Sequence, residues 1–407
     1  MKVAIFSDTH LGFDEKGERS QESFENLEKA IKMSIDAGAD FAVLCGDVFD
    51  EPVPTHNTLF RAMQSFGEMR QGKCGVDLAL KKGAEQKKIE VNGFPILTIH
   101  GNHEFRGKET RTALDVLNLS GLLVYFHAGC VEVTKKEEKA FVFGLGAVPE
   151  KKALEVMRHW NPVAQKNAAN LLLVHQSFKE FMVVDDEMVA TLSLDDLPKG
   201  FELVIDGHLH WSSQHRLGET TFLLAGSTIA TSIKKLEAQK PKGVFFYDTI
   251  SKKLDFSPFA LQRKMFYHKF FFRGADCDEV LDKCKQALED GCSNGNGLKP
   301  LVRLNLKGTL KKGLSSGDVD VAPLLSEYSS RAIISLSRNF SQDSFRKKIS
   351  ELRELHASKS SVASIGLEIL EKNLLETDFG SEVDAQRLFE LLSAGEFDSA
   401  LRLFSEK

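Results

Sequence analysis

Five apolar runs in the chain each end on polar side chains. KVAIFSDTH (2–10) runs into Asp8 and His10, and DFAVLCGDVFD (40–50) into Asp47. FPILTIHGNHEF (94–105) runs into Asn102 and His103, NLLLVHQS (170–177) into His175, and FELVIDGHLH (201–210) into His208 and His210. Near-continuous β-branched and aliphatic runs of this length mark strands buried on both faces. Helical periodicities lie between them, SFENLEKAIKMSIDAG (23–38) after the first strand and HNTLFRAMQSFGEMR (56–70) after the second. Strands alternating with helices from residue 1 to about 260 predict a layered α/β domain. The Lys- and Gly-rich segment GKCGVDLALKKGAEQKKIEVNG (72–93) reads as an inserted surface loop or hairpin.

The texture changes near residue 261. MFYHKFFFRG, PLVRLNLKGTL and SRAIISLSRNF read as strands and DEVLDKCKQALED as a helix, which predicts a small α+β domain over 261–340. Residues 341–407 read as helical: first SFRKKISELRELHASKSSVASIGLEILEKNLLE (344–376), with a Ser-rich break, then two short amphipathic helices in the tail 381–407. Val383, Leu388, Leu391 and Leu392 form the apolar side of the first tail helix, and Phe397, Ala400, Leu401 and Phe404 that of the second, with Gly395 between.

Functional groups in α/β sheets gather where strands end at their carboxyl edge. The five strand ends would bring Asp8, His10, Asp47, Asn102, His103, His175, His208 and His210 to one rim. In DTH and HLH the polar residues are two apart, so in an extended segment each pair would face the same way and hold one ion together. Gly46, Gly101 and Gly207, each directly before a polar group, would let the backbone turn closely. Singly, these residues have bland roles: Asp8 as a helix cap, His175 as a core histidine, Asn102 as a turn residue. Five coincident ends point instead to a shared centre. Seven oxygen and nitrogen donors exceed the need of one first-row ion and suit two, with Asp47 as the candidate bridge. No thiolate contributes, which favours manganese, iron or zinc. Two divalent ions against two carboxylates leave an electropositive pocket suited to a phosphate, and such a pair can activate water and stabilise a developing oxyanion. His103, beside a ligand and free to face substrate, is the candidate for stabilising the transition state or protonating the leaving oxygen.

Composition narrows the setting. The 407 residues are 42% hydrophobic, enough for two or three domains, and the net charge of −5 means that nucleic-acid binding would rest on local basic patches or bound metal. Six cysteines without a C-x-x-C pair give no zinc ribbon and fit reduced thiols. The first strand starts at Lys2 without a leader, and no apolar run approaches the ~20 residues of a membrane span. A soluble cytoplasmic protein, with no membrane partner, is expected.

The blocks SDTH, GDVFD, GNHE, VHQS and GHLH together resemble the calcineurin-like metallophosphoesterases, a group spanning phosphoprotein phosphatases, nucleotidases and nucleases. SDTHLG, GNHEFRGKETRTALDVLNLSGLLVYF, and FLLAGSTIATS followed by KPKGVFFYD are similar to the SbcD-type nucleases of double-strand-break repair, the meiotic recombination 11 family of archaea and eukaryotes. The resemblance implies a four-layer metallophosphoesterase β-sandwich flanked by helices over 1–260, a DNA-binding cap over 261–340, and a linker with a helical partner-binding segment over 341–407. It implies a two-manganese ligand set of Asp8, His10, Asp47, Asn102, His175, His208 and His210, with His103 as the catalytic histidine. Implied activities are 3′ to 5′ exonuclease on duplex DNA and endonuclease on single strands, in a nucleoid-associated complex with an SbcC-type coiled-coil ATPase of the Rad-fifty family. A homodimer through helices within 55–70 and 109–120 would use Leu59, Phe60, Met63, Leu114 and Leu117, although helices that merely pack on the sheet would carry the same residues. Two departures stand out. Asp50 occupies a position where archaeal members carry a histidine that aids exonuclease action, and the 72–93 insertion, with Lys81, Lys82, Lys87 and Lys88, is longer than usual and could extend a DNA surface. A small-molecule phosphodiesterase or phosphatase, or a DNA-end tethering scaffold, are the alternative readings.

Overall fold

The computed structural model describes residues 1–82, 85–104, 111–182, 192–340, 366–367, 370–371, 374, 384–393 and 397–404. The chain divides into two compact units, one of Met1–His268, Leu288–Arg303 and Tyr328–Ser335, the other of Lys269–Ala287, Leu304–Glu327 and Leu336–Lys407.

Two sheets make up the first unit. In the six-stranded sheet, β1 (Lys2–Phe6), β2 (Phe41–Leu44), β5 (Ile96–Thr98) and β6 (Val124–Tyr125) run parallel, and β13 (Gly243–Asp248) and β14 (Leu254–Pro258) extend the β1 side antiparallel, giving the order β14-β13-β1-β2-β5-β6. The eight-stranded sheet uses β3 (Asp77–Lys82), β4 (Glu85–Ile89), β7 (Gly129–Lys135), β8 (Glu138–Leu145), β9 (Ala169–Val174), β10 (Leu203–Asp206), β11 (Ser213–Leu217) and β12 (Thr220–Leu224) in the order β11-β12-β10-β9-β8-β7-β3-β4. Its centre, β8, β9, β10 and β12, is parallel.

Strand alternation explains why the sequence runs are apolar throughout. Val3, Ile5, Val43 and Leu97 of the first sheet meet Val131, Val142, Leu171, Leu173 and Ile205 of the second in one core. The intervening residues Ala4, Phe6, Ala42 and Leu44 face the opposite way, onto Phe24, Leu27 and Ile31 of α1 (Glu22–Asp36), Phe66 of α2 (His56–Phe66), and Leu114 and Leu117 of α3 (Ala113–Leu119). On the far side Leu172, Val174 and Val204 cover Ala153 and Met157 of α4 (Glu150–Trp160). The result is helix, sheet, sheet, helix: the four-layer arrangement, in which each fully buried aliphatic side chain contributes about 1.5–3 kcal/mol. Local signals set the helix starts. The Thr55 side chain accepts from the Thr58 amide ahead of α2, and Thr112 and Asp115 close a capping box on α3.

Within 72–93, β3 and β4 pair antiparallel at the edge of the eight-stranded sheet, with Leu78 opposite Val133 on β7. The outermost strand exposes Glu85, Gln86, Lys87 and Lys88, a charged edge that disfavours strand addition. Lys81 does not project freely: its ammonium pairs with Glu132 and lies over the Phe141 ring.

The apolar residues expected on a dimer face mostly belong to the core. Leu114 and Leu117 are fully buried, and Leu59 and Met63 pack half-buried against the same cluster. Only Phe60 of the five is exposed, at 64%; Val116 and Leu119 are also exposed. An amphipathic stripe marks the side a helix turns to its own sheet, the alternative role open to these residues from the sequence.

The second element group contains β15 (Met265–Ala275), α6 (Cys277–Ser293), β16 (Leu301–Leu310), α7 (Ala322–Tyr328) and β17 (Ile333–Phe340), with the strands ordered β15-β16-β17. Within the second unit Phe272, Val280, Cys284, Leu304, Leu306 and Val319 are buried. In the tail, α8 (Ala385–Ser393) and α9 (Phe397–Arg402) bury Leu388 and Ala400 with Leu374 and leave Leu392, Phe397, Leu401 and Phe404 exposed. Val383, Gly395 and most of 344–376 lie outside the described residues. Among the described residues, no helix is long and apolar enough to cross a membrane.

Leu171→Ala, at the centre of the inter-sheet core, is expected to cost about 2–5 kcal/mol through lost burial and a residual cavity. Urea unfolding with an unchanged slope and a lowered midpoint is the check.

Candidate metal centre

The loops after β1, β2 and β5 of one sheet and after β9 and β10 of the other meet at one rim. Main-chain bonds lace them together: Asp8 N–H to the Gly46 carbonyl (3.1 Å), His10 N–H to the Asp47 carbonyl (3.0 Å), His208 N–H to Asp8 Oδ1 (2.9 Å) and His103 N–H to Asp47 Oδ1 (3.0 Å). Asp8, His10, Asp47 and His208 all hold positive φ, between 44° and 69°. Such left-handed backbone costs non-glycine residues of order 1–3 kcal/mol each, and it clusters at functional sites because it re-aims side chains. Approach is close enough to require glycine: a Cβ on Gly46 would lie 2.7 Å from the Gly101 nitrogen, and one on Gly207 2.3 Å from the Cys45 carbonyl oxygen.

All eight residues singled out from the sequence reach this rim. Asp8, His10 and His210 form one cluster, and Asp47, His175 and His208 a second; in each the potential ligand atoms lie within 4.8 Å of one another. Asn102 joins the second cluster, its Oδ1 3.1 Å from His175 Nε2 and 3.0 Å from His208 Nδ1. The HLH pair does not act as a unit. His208 and His210 are divided between the clusters, and the backbone at His208 is left-handed rather than extended. A third cluster, His10, Asp50 and His103, adds a carboxylate that sequence reasoning took only as a departure from the family pattern.

Each imidazole has one nitrogen engaged outside the centre. His175 Nδ1–H donates to the Cys45 carbonyl (2.7 Å), His10 Nδ1–H to Asp50 Oδ1 (3.0 Å), and His210 Nδ1–H to Thr231 Oγ1 (2.9 Å). His208 Nε2–H donates to Ser177 Oγ (3.0 Å), whose hydroxyl donates to Glu150 (2.7 Å). His103 Nδ1–H donates to the Asp50 carbonyl. Outer partners of this kind fix a tautomer and leave the other nitrogen as a lone pair.

Those lone pairs point at one another. His10 Nε2 faces His210 Nε2 at 3.2 Å, and His175 Nε2 faces Asp47 Oδ2 at 3.2 Å as well as Asn102. Asp8 Oδ2 is buried without a hydrogen-bond partner. Electron-rich atoms packed this closely need positive charge between them. With protons alone to supply it, burial pushes the Asp8 carboxyl up to about 6, against the pull of His175. Burial would lower His175, yet the facing Asp47 carboxylate pushes it up to about 10. Burial and the His175 charge push His208 down to about 4. The donor set therefore fits divalent cations, with two clusters of hard and borderline ligands and no thiolate.

Three supporting features carried little sequence signal. Glu104, 2% exposed, accepts the Phe49 (2.6 Å) and Gly101 (2.7 Å) amides with its two oxygens and so ties the β2 and β5 loops together. It stood inside GNHE without a role. Lys242, buried, donates to the His210 carbonyl, Ser227 Oγ and Glu237 Oε1, each at 2.8 Å. Glu150 and Thr231 lie outside the five strand-end blocks, and only folding brings them to the histidines.

Residues 1–217, just over half of the chain, match the calcineurin-like phosphoesterase family, and the chain belongs to it. It is 26% identical over 259 residues to the DNA double-strand break repair protein Mre11 of Methanococcus maripaludis, covering 61% of this chain and 62% of that protein. Similarity to the protein of the same name from Thermoplasma acidophilum is 24% over 316 residues, 75% of this chain and 76% of that one. The human double-strand break repair protein MRE11 is 25% identical over 273 residues, 59% of this chain and 38% of that protein. The match thus spans less than two thirds of the Methanococcus and human proteins.

Adding a divalent cation to chelator-treated protein is expected to raise its unfolding temperature, with a stabilisation of about 2.7 kcal/mol when free metal stands at 100 times its dissociation constant. His175→Ala should lose most of that increment while unfolding normally in chelator. Differential scanning calorimetry reads both.

Proposed function

We propose that the chain is a manganese-dependent DNA nuclease that processes double-strand-break ends. The observation that carries this reading is the pair of ligand clusters on a shared rim, in a phosphoesterase whose relatives are named for double-strand break repair. Asp8, His10 and His210 would hold one ion, Asp47, Asn102, His175 and His208 the other, with Asp47 between them. When bound, the two cations supply Lewis-acid activation of water and neutralise charge on the phosphodiester. His103, 35% exposed with Nε2 4.0 Å from Asp47 Oδ2, stands at the open side to donate a proton to the leaving oxygen or stabilise charge on the phosphate.

Substrate reading follows the same line: single-strand endonuclease and 3′ to 5′ exonuclease action, the latter reduced because the Asp50 carboxylate is committed to His10. Residues 1–260 act as the nuclease domain, 261–340 as a DNA-binding cap, and 341–407 as the linker and docking segment. Exposed Leu392, Phe397 and Leu401 on the tail helices suit a helix-in-groove contact with a coiled-coil ATPase of the SbcC type. A homodimer would use exposed Phe60 rather than the buried leucines. A nucleoid-associated cytoplasmic location is consistent with that work.

The test compares bis-p-nitrophenyl phosphate, single-stranded DNA and duplex DNA under manganese. Cleavage of all three, or of the ester and single strands, is expected. Cleavage of the ester with DNA intact, even with the ATPase present, would favour a small-molecule phosphodiesterase. His103→Asn should lower turnover by about 10²- to 10⁴-fold, the usual range for a general acid, while manganese binding stays near wild type. Deleting 381–407 should abolish co-purification with the ATPase and leave ester hydrolysis unchanged.

A further inference from the structure

Asp50 holds two imidazoles through two different atoms, one on its side chain and one on its main chain. Its carboxylate Oδ1 accepts from His10 Nδ1 at 3.0 Å, and its main-chain carbonyl accepts from His103 Nδ1. Its position is itself fixed, because Asp50 N–H donates to the Leu11 carbonyl (3.1 Å) and Leu11 bridges in parallel to Phe49. The two rings it holds stand edge to face with centroids 4.9 Å apart. One belongs to the Asp8, His10, His210 cluster; the other is the residue assigned above to act on substrate. We propose that Asp50 is a positioning residue that couples the two: its carboxylate fixes the His10 tautomer with Nε2 turned to the metal, and its carbonyl aims His103.

The two roles sit on different atoms, and that separates their consequences. A side-chain substitution removes the contact to His10 and leaves the carbonyl on His103. The effect of Asp50→Ala is therefore read in metal affinity. Outer-shell partners of metal-bound histidines are worth on the order of 10- to 100-fold in metal affinity. That loss should fall on one ion only, because Asp47, His175 and His208 make no contact through the Asp50 side chain.

This inference rests on reading the clusters as a metal centre, and the experiment separates the two. Manganese is titrated into chelator-treated wild type, Asp50→Ala and Asp50→Asn, with free ion followed by electron paramagnetic resonance and ester hydrolysis measured at saturating metal. Wild type should take up two ions. Asp50→Ala should bind one of them on the order of 10- to 100-fold more weakly. Asp50→Asn, which keeps an acceptor oxygen without the charge, should fall between. In zinc-loaded wild type, ring ¹⁵N spectra should show His10 Nδ1 protonated and Nε2 shifted by the metal.

Equal manganese affinity in wild type and Asp50→Ala would overturn the inference alone. Turnover lost at saturating metal with affinity intact would also overturn it, since the carboxylate would then act on substrate. A metal-shifted His10 Nδ1 would do the same, because the ring would be turned the other way round. No uptake by wild type would overturn the metal-centre reading and this inference with it. Should Asp50→Ala fail to match wild type in thermal unfolding under chelator, Asp50→Asn decides: weakened binding supports the assignment, and unchanged binding overturns it.

Discussion

Mutual repulsion among electron-rich atoms is the constraint on which this site depends. Two carboxylates, an amide oxygen and four imidazole lone pairs are brought into contact distance by loops that have no other reason to approach so closely. The fold sustains that arrangement because the two sheets are locked by a continuous apolar core and their carboxyl edges open on the same side. Left-handed backbone at Asp8, His10, Asp47 and His208 adds strain to the repulsion. Both are tolerable in a scaffold of fourteen strands in two sheets, and both are relieved in purpose once cations occupy the centre.

Much of this was legible in the sequence, for a physical reason. Strands buried on both faces carry unbroken apolar runs, so β1, β2, β5, β9 and β10 announced themselves, and the polar residues ending them had to lie at a sheet edge. Less legible were the antiparallel strands β11 and β14, whose half-exposed residues mix polar with apolar. The split of His208 from His210 was hidden because a two-residue spacing reads the same in an extended or a left-handed backbone. Leu114 and Leu117 could be read as dimer contacts or as sheet-packing residues because a helical stripe reports that a face is covered and not by what; they are buried in the chain's own core.

Outer contacts to the histidines escaped for a related reason. Thr231 and Asp50 contact histidines 21 and 40 residues away in the chain, and Glu150 reaches His208 only through Ser177, apart from any strand-end pattern or at a position marked only as unusual. Family membership fixes the chemistry class, phosphoester cleavage. How the site is tuned lies in these supports, which differ in kind from one imidazole to the next.

That difference bears on how freely the protein can vary. His175 is anchored to the main-chain carbonyl of Cys45, so any small apolar residue at 45 preserves the anchor, and genetic drift there is silent to the imidazole. His10, His208 and His210 hang on side chains, which a single codon change can delete. Evolutionary tolerance should therefore be uneven around the ring of histidines, wider behind His175 and His103, which rest on main-chain carbonyls, and narrower behind His10, His208 and His210.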